Sequence, residues 1–167
     1  MAITDGVVTL TAFVSEDAPV MCRADHDPEH RRWFDFPDDF VPSFQHSLDV
    51  IARWASERAA GERFPFAVRA TDTGVLLGGC ELRPLGNSSA NLSYWTYPSH
   101  RRRGIGSRAA GLACTVAFDD FGWDRIELLA HPENIASRAV ARRLGFRETD
   151  LRAGLIVHLR TRHPQPT

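Results

Sequence analysis

The sequence predicts a single mixed α/β domain with an antiparallel meander at its centre, and three observations carry that expectation. Three runs of strand-forming residues follow one another in mid-chain, separated by short turn clusters. After them, two segments with helical apolar spacing alternate with strands, the second ended by a glycine. The chain of 167 residues, with 43% hydrophobic content, has the size of one ordinary core.

Residues 7 to 14 alternate loosely and are rich in β-branched side chains, which predicts a first strand. Ser15 then stands where a short helix needs its N-cap. A helix pair follows. Its first member ends near DHDPEH; its second, over 44 to 60, places Phe44, Leu48, Ile51 and Ala55 at helical spacing and stops at Gly61. Between them, RRWFDFPDDF crowds Trp33, Phe36 and Phe40 into a loop with Pro37 and Pro42. Rings so placed either cap the core under the loop or wall a ligand site.

The meander comprises FPFAVRA, VLLGGCELRPL and LSYWTY, joined by turns at TDTG and GNSSAN. A helix over 106 to 121 is predicted from the stripe Ala109, Leu112, Ala113, Val116 and Ala117. RIELLA reads as a strand, with Ile126, Leu128 and Ala130 on one face. A helix over PENIASRAVARRLG, apolar at Ala136, Ala139, Val140 and Leu144, ends at Gly145. FRETDL and LIVHLRTR close the chain as a hairpin across Ala153 and Gly154, and a polar tail over about 161 to 167 is expected to fray.

Composition removes several classes of function. The net charge of −1 argues against a dedicated nucleic-acid binder. All 20 basic side chains are arginine, so a pyridoxal-phosphate Schiff base and the lysine of a nucleotide-hydrolase phosphate loop are excluded. Cys22, Cys80 and Cys114 form no Cys-x-x-Cys pair, so neither a disulfide framework nor a metal site is expected, and a reducing cytoplasm fits. MAITDGVVTL lacks a basic leader region, and LACTVAF is too short to cross a bilayer; neither secretion nor membrane insertion is expected.

The informative stretch is YWTYPSHRRRGIGSRAAG, a strand feeding a helix through arginines and glycines. The first helical turn has backbone N–H groups without intrahelical partners, and the helix dipole adds positive character. Gly104 and Gly106 carry no Cβ, so a phosphate can approach the amides while Arg101, Arg102 and Arg103 pair with its oxygens. The same pattern is compatible with a tight turn on a solvated basic patch. A dinucleotide-binding Rossmann turn fits less well, because the third glycine position is Ala109 and antiparallel strands precede it.

Arg101-x-x-Gly104-x-Gly106 after a strand, with HPENIASRAVARRLGF some thirty residues later, resembles the paired signature motifs of the GNAT superfamily of acyl-CoA-dependent N-acetyltransferases. DPEHRRWFDFP, TGVLLGGCELR, SYWTYPSHRRRGIG and PENIASRAVARRLGF resemble its RimJ/RimL-type branch in order and spacing, over about residues 5 to 160. The resemblance implies a largely antiparallel sheet with a splayed parallel pair and about four helices. It implies that coenzyme A lays its pyrophosphate on the amides of Arg102, Arg103, Gly104, Ile105, Gly106 and Ser107, and its pantetheine along the strand near Thr96. Asn134 and Ser137 would face the pantetheine and the thiol, Asn134 serving also as a helix N-cap.

The implied reaction is attack of a neutral amine on the acetyl-CoA thioester, which needs a proton acceptor, oxyanion donors and an acid for the leaving thiolate. By resemblance the acid is Ser137, since the tyrosine many relatives carry seven residues after the asparagine is Ala141 here. The glutamate that often precedes the pyrophosphate turn is Asn91, and the final hairpin offers none at the usual place. Glu81 on the neighbouring strand is the remaining candidate base, with His131 and Tyr94 behind it, unless Glu81 is merely a solvated strand carboxylate. Backbone N–H groups near Tyr94 to Thr96 would hold the oxyanion, and Trp33, Phe36, Phe40 and Tyr94 would wall the acceptor. The expected acceptor is a primary amine, on a protein N-terminus or a small molecule. A non-catalytic acyl-CoA-binding module stays open through Asn91 and Ala141. No nucleic acid, membrane or metal is expected as partner, and a homodimer is the default for a domain of this size.

Overall fold

The computed structural model describes residues 3–34 and 36–162. Its strands are β1 Ile3–Thr4, β2 Val8–Thr11, β3 Phe64–Ala70, β4 Leu76–Gly86, β5 Ser89–Thr96, β6 Arg125–Ala130, β7 Arg147–Arg152 and β8 Leu155–Thr161. Its α-helices are α1 Ala18–Ala24, α2 Pro28–Trp33, α3 Phe44–Ala59, α4 Ile105–Thr115 and α5 Ile135–Arg143. The strands form one sheet in the order β1-β2-β3-β4-β5-β6-β8-β7. Every pairing is antiparallel except that of β5 with β6.

Alternation along the strands divides the core between the two faces of the sheet. Phe66, Val68, Leu82, Leu92, Ile126 and Leu128 pack with the buried α4 positions Ile105, Ala109, Ala110 and Ala113. Ala67 and Leu76 point the other way, onto Ala18, Met21 and Ala24 of α1 and Ile51 of α3. Leu92 is 1% exposed, so Leu92→Ala would cost about 2–5 kcal/mol.

Several local expectations are corrected. The first strand is a hairpin, because the Asp5 carboxylate accepts from the Val7 and Val8 amides at 2.9 Å each and closes a turn at Gly6. The strand ends at Thr11, and Phe13 instead packs on Trp54, with ring centroids 4.8 Å apart. Ser15 caps nothing; its hydroxyl donates to Glu16. Asp17 does the capping, accepting from the Val14 amide at 3.0 Å, and also forms a bidentate pair with Arg69 at 3.0 and 2.7 Å. Removing one partner of so buried a pair would cost about 3–5 kcal/mol.

The short first helix is two helices, giving five α-helices among the described residues. Pro28 cannot continue α1, and Asp27 starts α2 by accepting from the His30 amide at 2.8 Å. Trp33 consequently ends α2 rather than sitting in a loop. The helix expected over 106 to 121 is α-helical only to Thr115, after which Val116–Asp120 forms a π turn and the Phe121 amide donates to Val116. That extra residue brings Phe121 to Phe64 and Trp123, at 4.5 and 4.8 Å. Of the tail expected to fray, Thr161 belongs to β8, and residues 163–167 lie outside those described.

Candidate functional site

The parallel pair is short. β5 and β6 pair only through Ser89, Ala90 and Asn91 against Arg125, Ile126 and Glu127, and the Asn91 side chain donates to the Glu127 carbonyl at 3.4 Å where pairing ends. From Leu92 onward the strands leave a chamber of about 740 Å³, lined by Tyr94 and Thr96 of β5, residues 104 to 107 and 100 to 102, Ala130, His131, Asn134, Ser137 and Arg143. Splaying is what the antiparallel neighbours on both sides permit: β5 stays bonded to β4 as far as Thr96, and β6 to β8 as far as Ala130.

The arginine and glycine turn closes one end of this chamber. Pro98–His100 is a single 3-10 turn, Arg102 has φ of 62°, and Gly104, with φ of 73°, caps α4. Such left-handed positions swing successive amides to one side, the geometry of an anion-binding nest. Among the described residues, no hydrogen bond is made by the backbone amides of residues 102 to 107; the first bond of α4 runs from Arg108 to the Gly104 carbonyl. A phosphate therefore meets unpaired donors and the positive end of the α4 dipole. Gly106 is demanded by something else: a Cβ there would stand 2.9 Å from the Tyr94 ring.

The arginines are not equivalent. Arg102 is exposed and lines the chamber, whereas Arg103, equally exposed, lines a separate pocket with Gly6, Val7 and Ile105. Arg101 is committed elsewhere, donating to Asp27 at 2.6 Å and Glu29 at 2.9 Å, and so ties the turn to α2. Arg143 of α5, which sequence reasoning passed over, lines the chamber and donates to the Ser107 hydroxyl at 3.0 Å. Its only sequence signal was a place in the last turn of a helix whose other end carries Asn134 and Ser137.

At the opposite end Asn134 caps α5, its side-chain oxygen accepting from the Ser137 amide at 3.0 Å. The Tyr94 hydroxyl meets Ser137 Oγ at 3.1 Å. Burial pushes the Tyr94 phenol above its ordinary range, so it remains protonated at neutral pH. Tyr94 lines this chamber and not the second one beside it.

A second chamber of about 480 Å³ lies alongside, walled by Trp33, Phe34, Phe36, Trp54, Trp95 and Tyr97, with Asp25, His46, Arg63 and Glu81 among its polar groups. His30, Trp33, Phe34, Ser93 and Trp95 line both chambers. Gly79 makes room for this wall, since a Cβ there would meet the Trp95 indole at 2.2 Å. Phe40 is not part of the lining; it stacks on Phe36 at 4.8 Å and holds it in place. His131 lines the first chamber only, its ring 5.5 Å from that of Trp33.

Glu81 reaches the second chamber but is not a free carboxylate. It is 7% exposed, with Oε1 3.0 Å from Arg83 and Oε2 3.4 Å from Arg63. Arg83 stands two residues away on the same strand face, so half of this restraint was visible in the sequence.

A sheet forked between two antiparallel halves, with an amide cradle opposite an asparagine and serine pair, is the frame of the site. The model of the acetyltransferase (GNAT) domain family matches residues 8–147, and the chain belongs to that family. Its fold is shared with a putative ribosomal-protein-serine acetyltransferase from Vibrio cholerae (23% identity, 96% of this chain and 97% of that one, TM-score 0.80). It is also shared with Mycobacterium smegmatis RimJ in complex with CoA-disulfide (24% identity, 94% and 83% covered, TM-score 0.79). A third is RimL, a ribosomal L7/L12 alpha-N-protein acetyltransferase in complex with coenzyme A (18% identity, 96% and 98% covered, TM-score 0.81). No curated protein matches the chain in sequence. Among the described residues, no helix is long and apolar enough to cross a membrane.

Proposed function

We propose that this protein transfers an acetyl group from acetyl-CoA to a primary amine by direct attack on the thioester. The observation that carries the reading is the junction of two chambers across one shared wall, the first ending in an anion cradle and the second walled by aromatic rings. Acetyl-CoA supplies the activated acyl carbon. The amides of residues 102 to 107, with the Arg102 and Arg143 side chains, hold its pyrophosphate, and β5 beyond Leu92 offers the backbone edge along which pantetheine lies at Thr96.

Ser137 donates a proton to the departing thiolate, and Tyr94 replenishes it through their shared hydrogen bond. The edge of β5 that β6 leaves gives N–H groups to the developing oxyanion. Trp33 and Phe36 wall the acceptor, with Phe40 buttressing Phe36. RimL's alpha-N-protein activity and the family's general chemistry support an amine acceptor, a protein N-terminus or a small molecule. The unpaired thiols of Cys22, Cys80 and Cys114 suit action in the cytoplasm.

The test is release of coenzyme A thiol from acetyl-CoA across a panel of peptides and small amines. At least one amine should give turnover, and acetyl-CoA should raise Tm, as any ligand selective for the folded state does. Gly104→Glu should abolish binding, because it puts a side chain at a left-handed φ and a like charge into the cradle. Tight acetyl-CoA binding without thiol release anywhere in the panel would establish a non-catalytic acyl-CoA module, the reading that Asn91 and the ion-paired Glu81 favour.

A further inference from the structure

An amine attacking the thioester must stand where the two chambers meet, and it arrives as an ammonium that has no lone pair. Five side chains line both chambers: His30, Trp33, Phe34, Ser93 and Trp95. Among them His30 is the one side chain that offers a nitrogen lone pair to a proton; indole donates only, phenyl does neither, and a serine hydroxyl is a very weak base. His30 is 8% exposed, and its Nε2 lies 3.6 Å from Oδ1 of Asp25, a carboxylate that lines the acceptor chamber alone. Asp25 precedes the break between α1 and α2 and His30 follows it, so the break at Pro28 is what folds the two side chains together.

We propose that His30 and Asp25 form a proton-accepting pair that deprotonates the acceptor ammonium, His30 facing the amine and Asp25 stabilising the imidazolium from behind. This rests on the acetyltransferase reading above. The amine surrenders one proton to the imidazole, and its freed lone pair forms the N–C bond to the acetyl carbon. Collapse of the tetrahedral adduct breaks the C–S bond. The thiolate takes a proton from Ser137, Tyr94 returns one to Ser137, the second nitrogen proton restores the Tyr94 phenol, and the first leaves the pair for solvent. Overall, ammonium and thioester become amide, thiol and one released proton.

The surroundings suit a group that is empty of protons at rest. Burial, then the nearby Arg101 charge, pull the His30 imidazole down to about 4, opposed by Asp27. Burial pushes the Asp25 carboxyl up to about 6, against the charges of His46, His26 and Arg31. The Phe34, Phe36 and Tyr97 rings close around the imidazole at 4.8, 5.9 and 6.4 Å. At pH 7 both members are unprotonated, so the imidazole keeps a vacant lone pair with a carboxylate oxygen 3.6 Å from its Nε2.

Two acceptors of similar shape separate this role from a structural one: benzylamine, which is an ammonium at pH 7, and aniline, which is already neutral. With saturating acetyl-CoA, Asp25→Asn and His30→Gln should lower kcat/KM for benzylamine by about a hundredfold or more, the lower end of general-base contributions. The same variants should leave aniline within about threefold, since no proton needs to be removed beforehand. Equal losses on both amines, or no loss on benzylamine, would overturn the proposal. Should wild type acetylate neither amine, carbon-13 titration of Asp25 decides: His30→Gln must move its midpoint by half a pH unit or more, and an unmoved midpoint refutes the pair. Calorimetry with acetyl-CoA keeps the two readings apart. Absent binding to wild type would sink the enzyme assignment itself, whereas affinity lost only in the variants would overturn a role confined to the proton.

Discussion

Tyr94 of β5 and Ser137 of α5 meet hydroxyl to hydroxyl at 3.1 Å, spanning the gap where β6 has turned away from β5. Neither residue can be moved by its own element alone, because the Tyr94 ring is pinned on Gly106 and the Ser137 amide is held by Asn134. Ser137→Ala should therefore lower kcat by about a hundredfold or more while acetyl-CoA affinity stays within about threefold. Tyr94→Phe keeps the ring and loses only the relayed proton, so a drop of about tenfold is expected. Steady-state kinetics beside calorimetry checks both; a fall in affinity equal to the fall in kcat would contradict the acid role.

The contact between Gly106 and Tyr94 makes a stability prediction. In Gly106→Ala the new methyl begins 2.9 Å from the ring, and accommodating it should cost about 1–3 kcal/mol. Denaturant unfolding should show that loss, together with weaker acetyl-CoA binding. Gly79→Ala meets the Trp95 indole at 2.2 Å and should cost a similar amount, but it perturbs the wall shared with the acceptor chamber. Its kinetic signature is a raised KM for the amine.

Arg143 and Arg101 should respond differently to truncation. A charge-assisted hydrogen bond contributes about 1.5–3 kcal/mol, so Arg143→Ala should weaken coenzyme A binding by about tenfold or more and leave binding of phosphate-free pantetheine unchanged. Arg101→Ala should weaken coenzyme A less, since its guanidinium is engaged by Asp27 and Glu29. Calorimetric titration with the two ligands discriminates the arginines, and equal effects would refute the distinction.

Asp25 and His30 should also write opposite signatures into stability against pH. The folded-state value of Asp25, about 6, lies above its ordinary 3.8, so the folded protein binds the extra proton and stability falls as pH rises from about 4 to about 6. The folded-state value of His30, about 4, lies below its ordinary 6.5, so the unfolded chain binds the extra proton and stability rises from about 4 to about 6.5. The two contributions largely cancel in the wild-type protein. Asp25→Asn should leave a rising profile over that window, and His30→Gln a falling one, measured by chemical denaturation at stepped pH.

The helical and strand periods of the second half were legible because each element there buries one face, so apolar spacing reports geometry directly. The first forty residues were less legible. There the chain is held by side chains that act on the backbone, such as Asp5 at the hairpin, Asp17 just before α1 and Asp27 at the start of α2. An aspartate in a turn cluster does not announce which amide it will accept from, and Ser15 was the more conventional cap.

What the sequence determined by itself is the turn of unpaired amides at the head of α4, since a strand, a turn with left-handed glycine and a helix N-terminus are contiguous, and the amides they free need no distant partner. Only the tertiary structure decided which side chains are available for chemistry. It drew Arg101 away to α2, supplied Arg143 in the chamber, bound both oxygens of Glu81 and set Asp25 against His30 at the junction. The physical reason is that a lone pair or a charge is free only if nothing packed nearby has claimed it. For most of these groups the claimant comes from a different element of the fold.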